Sequence, residues 1–161
     1  MEMPQPQKEH EWLRQLVGEW SYEAEADMGP DKPAERSRGK ESVRTLGDLW
    51  VLAEGEGEMP GGGTGHTLLT LGWDPERKRF TGTWIGSMMT HLWIYDGTLD
   101  PNGRVLTLES EGPSMTGDGT LATYRDVIEI VSRDERIMRS HGQSQDGGWQ
   151  QFMTVRYRRT G

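Results

Sequence analysis

Cysteine is absent from the 161 residues. Its absence excludes disulfides, thiolate metal sites and cysteine nucleophiles. A basic excess is missing too: 18 Lys and Arg stand against 26 Asp and Glu, for a formal net charge of -8. Surfaces that bind DNA or RNA carry the opposite sign, so no nucleic-acid partner is expected. No apolar run approaches the roughly 18 residues of a membrane span. The opening MEMPQPQKEHEWL has neither the basic nor the apolar region of a signal peptide, so a cytoplasmic location is the expectation. Branched aliphatics are also scarce. Leu, Ile, Val and Phe supply only 27 of the 161 residues, a share at which disorder becomes a concern.

The bulk that removes this concern lies elsewhere, in 7 Trp, 9 Met and 4 Tyr. A buried aromatic covers about 150–250 Å², so a core rich in aromatics and Met is within reach. With 32% hydrophobic residues, a partly polar interior suits the chain better than a dense helical bundle. One helix is expected near residues 6–16, where Trp12, Leu13, Leu16 and Val17 fall at helical spacing before the stop at Gly18. Beyond it the texture is β, with alternating runs separated by turn residues at intervals of about 8–12, the pattern of an all-β barrel or sandwich. Ten strands are read, at about 18–28, 35–46, 49–58, 65–73, 79–86, 90–98, 103–111, 119–132, 135–144 and 149–159. One domain spans 1–161.

Hairpin register sorts the side chains into two faces, because cross-strand partners share a face. Pairing 65–73 with 79–86 places Leu69, Leu71 and Trp73 beside Phe80, Gly82 and Trp84. Continuing to 90–98 adds His91, Trp93 and Tyr95. Pairing 135–144 with 149–159 puts Met138, Ser140 and Gly142 with Trp149, Gln151, Met153, Val155 and Tyr157. Trp20 and Tyr22 point inward by the same alternation. The inner face is then aromatic with polar tips, Tyr124, Asp126 and Ser140 among them. In a solid core each unsatisfied tip costs about 1–3 kcal/mol. A barrel holding water and a ligand tolerates them. Glu54, Glu56 and Glu58 would face solvent, leaving Gly55 and Gly57 to make room inside.

The blocks EHEWLRQLVGEWSYEAE, TLGWDPERKRFTGTWIGSMMTHLWIYDGTLD, GRVLTLESEGPSM, YRDVIEIVSRDERIMRS and QFMTVRYRR resemble the bacterial domain-of-unknown-function 1579 family over about residues 8–159. The resemblance implies a single antiparallel up-and-down, lipocalin-like (calycin-type) β-barrel over about 18–159, with the short N-terminal helix closing one end. It implies no reaction. Gly18-Glu19-Trp20 also resembles the Gly-x-Trp opening of lipocalin-like barrels. The fatty-acid-binding barrels' Arg-x-Tyr carboxylate clamp is reversed here, as Tyr157-x-Arg159.

His10, His66 and His141 read as surface residues, and His91 as a residue of the aromatic face. No His-x-His or HExxH spacing exists, so no metal site is expected. Gly61-Gly62-Gly63 lacks the Lys-Ser/Thr of a phosphate loop. Nitrobindin-like barrels hold haem through a histidine near the last strand, and QFMTVRYRR has none, so no cofactor is expected. The functional expectation is binding of a small hydrophobic or amphipathic molecule by Trp84, His91, Trp93, Tyr95, Tyr124, Gln151, Met153 and Tyr157. The alternative is an enzyme using the same cavity, with His91, Tyr95 or Tyr157 as acid-base groups. The loop at 59–65 and Met88-Met89 are read as an entrance. A third reading is a barrel with no ligand whose role lies in self-association, as a homodimer.

Overall fold

The computed structural model describes residues 2–161. A helix α1 (Lys8–Leu13) runs into a 3-10 turn (Arg14–Leu16). Ten strands follow: β1 (Gly18–Ala26), β2 (Glu35–Leu46), β3 (Trp50–Glu58), β4 (Thr64–Asp74), β5 (Arg79–Gly86), β6 (Trp93–Leu99), β7 (Val105–Pro113), β8 (Leu121–Ser132), β9 (Glu135–Gln143) and β10 (Trp149–Arg159). Each strand pairs antiparallel with its sequence neighbours, and β10 pairs with β1, so the sheet closes on itself. Closure leaves no edge strand.

Alternation carries the expected register where turns are tight. Leu69 pairs with Trp84, Leu71 with Gly82 and Trp73 with Phe80. Trp84 then pairs with Trp93 and Gly82 with Tyr95. Two strands depart from it at bulges, where one extra residue shifts the pleat. In β10 the register shifts between Gln151 and Met153. Gln151 therefore pairs with His141 on the outer face and is exposed. Trp149 follows it outward, where the Arg125 guanidinium stacks 4.0 Å from its ring centre. In β8 the shift lies between Ile130 and Ser132, and Ile130 pairs with Arg136.

One end of the barrel is sealed by the N-terminal segment. Leu13 and Leu16 are buried among Trp20, Val43, Val51, Leu71 and Phe80. Each large apolar side chain buried this way contributes about 1.5–3 kcal/mol. The indole of Trp12 donates to the Gly103 carbonyl at 2.7 Å, and that of Trp20 to Leu16 at 2.9 Å. The helical segment is shorter than expected, because its last turn tightens to 3-10 before entering β1. His10 is buried rather than on the surface. Its Nδ1 accepts from the Gln7 N–H at 2.9 Å, which leaves the proton on Nε2 to donate to the Trp73 carbonyl at 3.1 Å. Arg159, near the end of the chain, is tied down as well. It donates to the carbonyls of Val17, Gln15 and Arg133 and covers the Trp20 ring at 4.3 Å.

Candidate functional site

The barrel encloses a cavity of about 560 Å³. Six of the eight residues expected at a site line it: Trp84, Trp93, Tyr95, Tyr124, Met153 and Tyr157. Gln151 does not, for the bulge turns it outward. His91 does not either. Strand β6 begins at Trp93, so His91 ends a loop on the rim instead of continuing the inward alternation. Its ring packs edge-on to Trp93 at 4.6 Å, and its Nε2 lies 3.1 Å from the Glu111 carbonyl.

The mouth is built from loops and methionines. Met28, Met59, Met88 and Met89 border the cavity, as do Pro60 and Gly65. The loop at 59–65 and Met88-Met89, read from sequence as an entrance, both contribute to this rim. Gly65 is where the two loops meet: a Cβ there would stand 2.5 Å from the Met59 sulfur and 3.0 Å from Met88 Cε. Just inside, Trp93 and Tyr124 pack edge to face at 5.2 Å. Phe152, the residue at the β10 bulge, extends this cluster to Tyr124 at 6.3 Å.

Further down, polar groups converge. Asp126 accepts hydrogen bonds from the Tyr95 hydroxyl on one carboxylate oxygen and from Ser140 Oγ, at 2.6 Å, on the other. Burial pushes the Asp126 carboxyl above its ordinary 3.8, opposed by those two hydrogen bonds. Burial, and then the neighbouring Asp126 charge, hold the Tyr95 phenol well above its usual range. The Tyr157 phenol is pushed up by burial first and the Glu41 charge second.

The floor holds an ion pair, Arg136 with Glu41, both deeply buried. The Arg136 guanidinium lies 3.8 Å from the Tyr157 ring centre and 4.8 Å from that of Trp20. Its Nε is buried with no hydrogen-bond partner. The sequence reading passed over this pair. Arg136 shares the even parity of Met138 and Ser140, so its inward direction was available; its partner on β2 was not. Among the described residues no group of three or more His, Asp or Glu side chains is placed to hold a metal ion. No helix is long and apolar enough to cross a membrane.

Comparison with known proteins gives a family and a fold. The model of the family described as "Protein of unknown function (DUF1579)" matches residues 5–159. No curated protein matches the sequence. The crystal structure of Rv2717c from M. tuberculosis superposes with a TM-score of 0.66 at 14% identity, covering 98% of this chain and 100% of that one. The structure of EF1p2_mFAP2b bound to DFHBI superposes with a TM-score of 0.51 at 12% identity, covering 94% and 99%. At such identities the likeness is one of fold.

Proposed function

We propose that this chain, which belongs to the DUF1579 family, binds a small amphipathic molecule inside its barrel. The observation that carries this reading is the cavity: about 560 Å³, walled by Trp84, Trp93, Tyr95 and Tyr124, with a few converging polar groups. Ligand sites have this size and composition, mostly apolar with a small number of placed polar groups. The methionine border supports it, since unbranched, polarizable side chains adapt to ligands of irregular shape. One barrel of the same fold, EF1p2_mFAP2b, has been solved bound to DFHBI.

The enzymatic alternative loses support. Of its three acid-base groups, His91 lies off the cavity lining. Both phenols are held above their ordinary value, so neither is a base near neutral pH. Native mass spectrometry of freshly purified protein, followed by extraction, tests the binding reading. The expected result is a co-purified small molecule, or quenching of tryptophan emission when a hydrophobic probe is titrated into the empty protein. A protein that is folded, empty and indifferent to a broad probe panel would overturn it.

A further inference from the structure

The cavity carries an unbalanced charge. Five side chains of the charged types border it: Glu35, Glu41, Glu58, Asp126 and Arg136. The single cation, Arg136, is paired with Glu41. Glu35 and Glu58 stand at the ends of β2 and β3, at the mouth. That leaves Asp126 as an inward carboxylate whose hydrogen-bond donors are the neutral hydroxyls of Tyr95 and Ser140. Among the described residues it has no ion pair. A carboxylate offers about four lone-pair positions, and the two hydroxyls use two of them. Asp126 keeps accessible surface, and being on the inner face it directs that surface at the lumen rather than at bulk water.

Building on the binding function proposed above, we infer that the occupant is an organic cation: an apolar body bearing a protonated amine, with the ammonium group at Asp126. A buried carboxylate with no ion-pair partner, eased in charge only by His141 on the outer face of β9, is costly, and a ligand ammonium relieves that cost by adding charge-assisted hydrogen bonds. The aromatic walls favour the same sign, because the ring faces of Trp and Tyr attract cations. Burial is the main cause that raises the Tyr22 and Tyr157 phenols; the nearby charges add to it, Glu41 and Glu58 at Tyr22, Glu41 and Asp126 at Tyr157, with Arg136 opposing at Tyr157. A carboxylate ligand would face this excess of negative charge, and the one guanidinium on the lining already holds a carboxylate partner in Glu41, with its Nε left as the unpaired donor.

Three probes share one apolar body and differ in their end group: naphthylethylamine, naphthylethanol and naphthylacetate. Calorimetric titration of the full chain at neutral pH and low salt compares them. The amine is expected to bind roughly ten- to a hundredfold more tightly than the alcohol, the range for a hydrogen bond to a charged group, with the carboxylate weakest. Asp126→Asn, which keeps the shape, is expected to bring the amine-to-alcohol ratio close to one. Equal affinities for amine and alcohol, or a preference for the carboxylate, would overturn this inference and leave the binding function standing. A wild-type protein that is folded but takes up none of the three would overturn this inference, while the binding function falls only if the broad probe panel fails as well. The wild-type ratio decides without any variant, so a poorly folding Asp126→Asn does not blunt the test.

Discussion

At the floor of the barrel, large side chains are fully packed and polar groups, the Arg136 Nε excepted, are tied to protein partners. The indoles of Trp12 and Trp20, the His10 ring and the Arg159 guanidinium all end on backbone carbonyls. At the mouth the materials change. Met28, Met88, Met89 and Met115 are between 40% and 65% exposed, and the Trp93 indole meets a methionine sulfur at 3.1 Å. The loops there, at 27–34, 59–63, 87–92, 114–120 and 144–148, are as long as or longer than the turns at the floor. A single sheet thus presents one end whose order is over-determined and one end free to adapt. Buried contacts are concentrated at the first, and on the binding function proposed above the second is the end that would admit a ligand.

That contrast can be broken most severely at the N-terminus. Deleting residues 1–17 removes Leu13 and Leu16, both almost fully buried, and the Trp12 contact with Phe80 at 5.8 Å. The loss of several large apolar side chains, at about 1.5–3 kcal/mol each, rivals a typical net stability of about 5–15 kcal/mol. The truncated chain is expected to be insoluble or to melt far below the full-length protein. An unchanged melting temperature would show that the floor is sealed without the helix.

Next in size is the buried ion pair. Arg136→Met alone strands Glu41 and is expected to cost about 3–5 kcal/mol, whereas Arg136→Met with Glu41→Leu recovers most of that loss. Urea unfolding measures both. Equal losses in the single and double variants would mean that the pair supplies order by more than mutual neutralisation.

Asp126, midway between the two ends, is expected to move stability the other way. Burial raises its folded value above the ordinary 3.8, so the unfolded chain releases this proton first as pH rises. Above about 3.8 the ionised carboxyl therefore opposes folding, and the penalty is complete once pH exceeds the raised folded value. Asp126→Asn should match wild type in strongly acidic solution and exceed its stability at neutral pH. Melting curves across that range read the sign, and a neutral-pH loss would show that the two hydroxyl bonds outweigh the burial. The smallest stability effect is expected at the mouth: Met88→Ser with Met89→Ser should stay within about 0.5 kcal/mol per site while weakening uptake of a hydrophobic probe. A large drop in melting temperature would erase the distinction between the two ends.

Much of the barrel was legible in the order of residues. A side-chain period of two leaves little freedom once a turn is tight, so Asp74-Pro75-Glu76-Arg77 sufficed to align Leu69, Leu71 and Trp73 with Trp84, Gly82 and Phe80. The apolar stripe of α1 likewise announced a docked helix. What failed was local: Gln151 because one extra residue at a bulge inverts every position beyond it, and His91 because the inward alternation stops with the strand at Trp93. A histidine among glutamates also reads as solvated, and His10 is buried because the helix turns that face onto Trp73.

Alternation and turn chemistry, both local, determined from sequence alone that the chain is a meander of short antiparallel strands with one aromatic face. Closure decided the rest. Arg136 and Glu41 are 95 residues apart and sit on β9 and β2, with β10 and β1 between them. They meet only because the last strand pairs with the first and turns both inner faces onto one lumen. Tyr95, Asp126 and Ser140 need less: Asp126 and Ser140 are partners across the β8–β9 hairpin, and the curvature of β6–β8 brings Tyr95 across the lumen to them.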